Sequence, residues 1–191
     1  EILGRPSRYT AFWWSPDSRK IGFYRFDNTQ VPLCPIYSGN DNPEAAAVQS
    51  QSPRVSDLGL GGSLSETRYP KAGQTNPEVR IGIIDLTDVT SVIPSEVEES
   101  IVWADFDPTL DQYFGIPFWG PDSEEFFIAR MPRIQNTLDL YSVNVKDGSK
   151  KHIYNETYKT WLNWINPVVF TEKGLYMARE FETGWQQIYF L

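Results

Sequence analysis

Apolar residues along this chain gather in short runs that emerge from turn-forming stretches, with almost no helical spacing. Ile21-Gly22-Phe23-Tyr24, Phe126-Phe127-Ile128-Ala129 and Leu175-Tyr176-Met177-Ala178 are three such runs. Val79 to Leu86, Leu138 to Val145 and Gln187 to Leu191 instead alternate in character. Short β-branched and aromatic runs bounded by Gly, Pro, Asn and Asp predict strands and turns throughout.

One unit recurs. Trp14-Ser15-Pro16-Asp17-Ser18 precedes the first run, Trp119-Gly120-Pro121-Asp122-Ser123 the second, and Phe170-Thr171-Glu172-Lys173-Gly174 the third. Each reads as strand, tight turn and returning strand, because Pro fixes φ in the turn and Asp or Gly tolerates its geometry. The second copy continues through Asp147-Gly148 into Lys151 to Tyr154, which makes four strands. Four antiparallel strands at a fixed period of about 40 to 50 residues describe a propeller blade. Trp119 to Phe170 spans 51 residues, one blade, whereas Trp14 to Trp119 spans 105. Either the first blade carries a large insertion or a blade is hidden there, and the insertion is the expectation, because only one strand with clear alternation, Val79 to Leu86, lies between. That insertion runs from about Asn28 to Pro77 and is rich in Pro, Gly, Ser, Asn and Gln. A connection that long in a compact unit is functional or disordered. The expected fold class is all-β: part of a β-propeller, about three four-stranded antiparallel blades with the last incomplete.

Composition narrows the function classes. The 191 residues are 40% hydrophobic and 15% aromatic, enough for a packed core. Seventeen basic residues against twenty-five acidic ones give a net charge of -8, which disfavours nucleic acid, since phosphate binding depends on Lys and Arg. No apolar run approaches the roughly 18 residues of a membrane span. The chain opens at Glu1 without Met and stops at Leu191 inside a strand-like run, so both ends are expected to be cut.

Candidate chemistry is sparse. The single cysteine, Cys34, is expected to be a small semi-buried side chain, and no Cys/His spacing suits a metal. The only histidine, His152, lies in a polar stretch of an expected outer strand and reads as solvated. Gly61-Gly62-Ser63-Leu64-Ser65 fails the nucleophile-elbow pattern at its last position. No phosphate loop, dinucleotide fingerprint or zinc pattern occurs, and no cofactor is expected. Glu98-Glu99 and Glu124-Glu125 read as solvated faces, because adjacent strand residues point to opposite sides. Trp13, Trp14 and Trp119 are expected to pack between blades. Asn155-Glu156-Thr157 fits a glycosylation acceptor, a short pattern common by chance. Taken alone, the residues describe an all-β repeat unit without self-contained catalysis.

Several phrases reach further. Phe12-Trp13-Trp14-Ser15-Pro16-Asp17-Ser18, Tyr24-Arg25-Phe26-Asp27, Val31-Pro32, Tyr69-Pro70-Lys71-Ala72-Gly73 and Asn76-Pro77 follow in the order seen in the propeller of the dipeptidyl peptidase IV family. Arg133-Ile134-Gln135-Asn136 and Glu182-Thr183-Gly184-Trp185 continue the match. The chain resembles that family over nearly its whole length, and Glu1-Ile2-Leu3-Gly4-Arg5 looks like its bacterial branch.

The resemblance implies an exported parent, periplasmic or extracellular, that pairs an N-terminal propeller with a C-terminal α/β-hydrolase domain absent here. Such enzymes are serine peptidases that release X-Pro or X-Ala dipeptides from peptides with a free N-terminus. Adjacent glutamates preceding the Trp-Trp-Ser-Pro strand hold the substrate's amine, and Glu1, twelve residues before Trp13, is the position that matches, if two residues are inserted. An arm at about Val31 to Tyr69 is implied to form a homodimer, with a longer tip than the family pattern. The competing class is a non-catalytic propeller scaffold, and an inactive relative with a lost nucleophile stays open. A Gly-x-Ser-x-Gly elbow after Leu191 would discriminate the first pair.

Overall fold

The computed structural model describes residues 11–38, 63–87, 100–165, 168–180 and 182–191, and every regular element among them is a strand. The chain divides into two compact units, one of Glu1–Arg25 with Val79–Leu191 and one of Phe26–Glu78.

Three sheets follow one another in the first unit. In the first, β1 (Phe12–Trp14), β2 (Lys20–Asp27), β5 (Glu78–Asp85) and β6 (Ile101–Trp103) lie in that order, each antiparallel to the next. The second runs from β7 (Gln112–Phe114) and β8 (Phe118–Trp119), both paired with β9 (Glu125–Pro132), through β10 (Thr137–Asn144) to β11 (Lys150–Thr157). The third holds β12 (Val168–Thr171), β13 (Gly174–Arg179) and β14 (Gln187–Phe190). These are the propeller blades expected from the repeat, two of four strand positions and one of three. The short β6 completes the first blade and escapes sequence reading, because Ile101-Val102-Trp103 is too brief to show a period. In the second unit, β3 (Leu33–Ser38) and β4 (Ser63–Arg68) form a hairpin registered from Leu33 opposite Arg68 to Ser38 opposite Ser63. The tip Gly59 to Gly62 and the pair Glu98-Glu99 lie outside the described residues.

The repeated turn has a repeated geometry. Trp14 pairs with Ile21 and Trp119 with Phe126, and the residue at the same turn position, Ser18 or Ser123, is left-handed with φ of 59° and 62°. The two turns also touch, as the Asp17 amide donates to the Ser123 hydroxyl at 3.1 Å.

The core sits between blades. β9 is apolar on both faces because it lies between two neighbours. Phe126 and Ile128 pack with Ile81, Ile83, Trp119 and Val143 of the first junction. Phe127, Ala129 and Met131 pack with Leu138, Leu140, Leu175 and Met177 of the second. Trp119 is buried as expected and its indole N–H donates to the Trp13 carbonyl at 3.0 Å. Trp13 meets Tyr24 edge to face, with centroids 5.0 Å apart. Trp14, on the other face of β1, is 53% exposed in this chain. Adjacent strand residues face opposite ways, so Trp13 takes the junction and Trp14 cannot.

Candidate functional site

Strand order fixes which loops share an end of a blade. The turns at 15–19, 120–124, 146–149 and 172–173 lie at one end. The segments 104–111, 133–136, 158–165 and 182–186 lie at the other, because antiparallel strands return their alternate connections to the same side.

The two ends differ chemically. The first is built of Ser, Pro, Asp, Lys and Gly, and its carboxylates are engaged locally. The Ser15 hydroxyl and the Arg19 amide both donate to Asp17, at 2.5 and 3.0 Å, and these bonds lower its pKa to about 2. Glu124, 46% exposed at its side chain, pairs with Lys146 at 2.9 Å and Lys20 at 3.7 Å. The Ser142 hydroxyl donates to Glu125. The second end exposes large apolar side chains: Leu110, Ile134, Tyr158, Trp161 and Trp185. No residue of the opposite turns is among the exposed large hydrophobics of the described residues.

Backbone bonds tie the apolar end into one surface. The Arg133 amide donates to the Asp111 carbonyl at 3.1 Å, and the guanidinium pairs with its carboxylate at 3.0 Å. Tyr158 and Leu162 amides donate to Asn136 and Gln135 carbonyls, both at 2.9 Å. Gln135, left-handed at φ 55°, also accepts the Trp161 indole N–H on its side chain at 2.9 Å. The next connection joins through the Asn163 side-chain Nδ2, which donates to the Glu180 carboxylate. The 158–165 segment is thus bound to loops of two blades.

Beneath it lies a buried ionic group that sequence reading missed. Glu156 on β11 and Arg179 on β13 are 2% and 3% exposed. The Arg179 guanidinium grips both carboxylate oxygens, and the Tyr154 hydroxyl donates to Glu156 at 2.7 Å. Burial works to lower the Arg179 pKa, but the bonds to Glu156 and its charge outweigh it and raise it. Burial, then the Glu156 bond, raises that of Tyr154. A usable signal existed: β13 alternates inward Leu175, Met177 and Arg179, so a charge occupies a core position.

The other singled-out residues fall as follows. Glu1 lies outside the described residues. His152 is 48% exposed at its side chain, with Nε2 3.0 Å from Asp139 and its ring edge-on to Tyr141. Asp139 also takes the Asn155 amide at 2.8 Å and Arg130 at 3.5 Å, and Arg130 reaches Gln112 at 2.8 Å. This polar chain crosses the second blade from its first strand to its last. Cys34 is partly buried and free. Among the described residues, no group of three or more His, Cys, Asp and Glu is placed to hold a metal ion.

Stacked antiparallel sheets, a repeated turn hairpin and cores between successive sheets define consecutive blades of a β-propeller. The model of the dipeptidyl peptidase IV (DPP IV) N-terminal region matches residues 1–191, and the chain belongs to that family. It is 30% identical to "Probable dipeptidyl peptidase 4" of Emericella nidulans over 99% of its length, covering 23% of that protein. It is 29% identical to venom dipeptidyl peptidase 4 of Apis mellifera over 96% of its length, covering 21% of that relative. The crystal structure of Porphyromonas gingivalis dipeptidyl peptidase 4 superposes with a TM-score of 0.69 at 21% identity, over 95% of this chain and 22% of that one. The chain thus spans about a fifth of the relatives it matches.

Proposed function

We propose that these blades are the substrate-selecting and access-restricting part of a serine exopeptidase that releases X-Pro and X-Ala dipeptides from free N-termini. The observation that carries the reading is the contrast between the two blade ends. One is closed by local polar bonds, and the other presents Leu110, Ile134, Tyr158, Trp161 and Trp185, with the 104–111, 133–136 and 158–165 loops joined by backbone bonds. Exposed apolar groups held by fixed backbone bonds suit contact with another surface. Here that surface is the peptide substrate and the hydrolase domain that cleaves it. Family membership and relatives named as dipeptidyl peptidases support the same reading.

Glu1 supplies the charge in this proposal. A substrate α-amine is largely protonated near neutral pH, and a carboxylate is its natural partner. A charge-assisted bond contributes about 1.5 to 3 kcal/mol. In the complete protein, Glu1→Gln is expected to lower kcat/KM for a chromogenic Gly-Pro substrate roughly 10- to 150-fold. Full retention would remove Glu1 from the site. Trp161→Ala is expected to raise KM with kcat little changed, and an unaltered KM would remove the apolar end from the substrate path.

The 31–69 arm is proposed to join two copies of the complete protein. Leu33 and Ile36 of its hairpin are 55% and 49% exposed, and a two-stranded hairpin gains little stability without a packing partner. Deleting Gly39 to Ser65 is expected to convert dimer to monomer by light scattering, and an unchanged mass would overturn the arm's role.

A further inference from the structure

Arg179 stands where its strand would otherwise carry a hydrophobe. Leu175, Met177 and Arg179 form the inward column of β13, and the third is a guanidinium 3% exposed. Its Nε donates to Glu156 Oε2 at 3.1 Å and its Nη2 reaches Oε1, while Tyr154 donates to Oε2 from the same strand as Glu156. Those contacts already satisfy the carboxylate. The fork does more: Nη1 donates to the Trp164 carbonyl at 3.1 Å and Nη2 to the Asn163 carbonyl at 2.9 Å.

The last two bonds point to the role. A buried ion pair alone adds little, since well-packed apolar residues of similar volume serve stability as well or better. Asn163 and Trp164, however, lie in an irregular connection between blades, where carbonyls lack the partners a strand would supply. Only a planar, multi-donor group can hold a carboxylate on one blade and two successive carbonyls on the connection together. The same connection is held from its other side by the Leu162 amide and the Trp161 indole on Gln135. It is therefore clamped between the third blade and the loop of the second.

We propose that Arg179 is a positioning residue. Through the Asn163 and Trp164 carbonyls it fixes the 158–165 connection, and so sets where Trp161 stands at the substrate-facing end of the blades. Glu156 holds the guanidinium in the orientation this needs. The proposal rests on the reading of that end given above.

The test replaces the pair by apolar residues of similar size, Glu156→Leu with Arg179→Met, in the complete protein. Core stability is expected to survive, with Tm within about 3 °C of the parent. Hydrogen exchange of the 158–165 peptides is expected to quicken at least about tenfold, with that of 125–132 unchanged. KM for a Gly-Pro substrate is expected to rise roughly threefold to tenfold with kcat within about twofold. A merely structural pair predicts parental exchange in 158–165 and parental KM, and either result overturns the proposal. If the double variant does not fold, Arg179→Lys carries the test. Its ammonium keeps the charge opposite Glu156, but three donors on one nitrogen cannot replace the four contacts to Glu156 and the two carbonyls, so the same rise in exchange and KM is expected. The Trp161→Ala result separates the two failures. An unaltered KM there sinks the substrate reading, while exchange in the double variant still decides whether Arg179 holds the connection.

Discussion

At the scale of single residues, short polar side chains closing their own turns recur. Asp27, Asp85, Asp107 and Asp147 each accept the amide of the residue two positions on, and the hydroxyl of that Thr or Ser as well. The bonds favour the ionised carboxylate, and the pKa values of Asp85, Asp107 and Asp147 are lowered by them, as is that of Asp17. A group with a depressed folded pKa contributes stability above its unfolded value, lost as pH falls through the folded one. For Asp17 that window runs from 3.8 down to about 2. Tm is expected to fall between those pH values, and Asp17→Asn to flatten part of the fall. An identical profile for the variant would show that the turn bonds leave stability unlinked to pH. The two left-handed serines separate conformation from contact. Ser18→Gly relieves a φ of 59° and is expected to be neutral or stabilising by up to about 1 kcal/mol. Ser123→Gly relieves the same strain but removes the acceptor of the Asp17 amide, and is expected to destabilise relative to Ser18→Gly by about 1 kcal/mol. Thermal unfolding of the two variants compares them directly.

Between elements, the blades interlock through glycines as much as through large side chains. Gly22 lies under the Phe126 ring, and an added Cβ would overlap the tip of that ring. Phe126 is fully buried and cannot swing away. Gly22→Ala is therefore expected to destabilise the complete protein by about 1 to 3 kcal/mol, the cost of overpacking a tight core. Adding Phe126→Leu should restore part of the loss, and strictly additive losses in calorimetry would contradict the contact. This junction is legible in the sequence only in part. The runs Ile21 to Tyr24 and Phe126 to Ala129 announce two returning strands, and Ser15-Pro16-Asp17 and Gly120-Pro121-Asp122 their turns. Which face of each strand meets which neighbour is not legible, because a strand buried on both sides shows no alternation. The apolar end is not legible either, since strand order alone gathers 104–111, 133–136, 158–165 and 182–186. Arg179 shows as a charge in the inward column of Leu175 and Met177, but its partner does not, because Glu156 meets it across 23 residues.

For the molecule as a whole, the chain carries a family and a fold. Phrases such as Tyr69-Pro70-Lys71-Ala72-Gly73 point by themselves to the dipeptidyl peptidase IV propeller, and the family match over residues 1–191 agrees. The site is far less legible. Its proposed charge, Glu1, comes from resemblance alone, whereas its proposed apolar surface comes from topology. The central claim is that these blades admit peptides by their free N-terminus to a dipeptide-releasing site. Its most direct test compares kcat/KM of the complete protein on a chromogenic Gly-Pro substrate with that on the same substrate acetylated at its amine. Loss of the ammonium should lower kcat/KM at least about tenfold, the value of one charge-assisted bond. Equal cleavage of the two substrates, or cleavage of neither, would contradict the account.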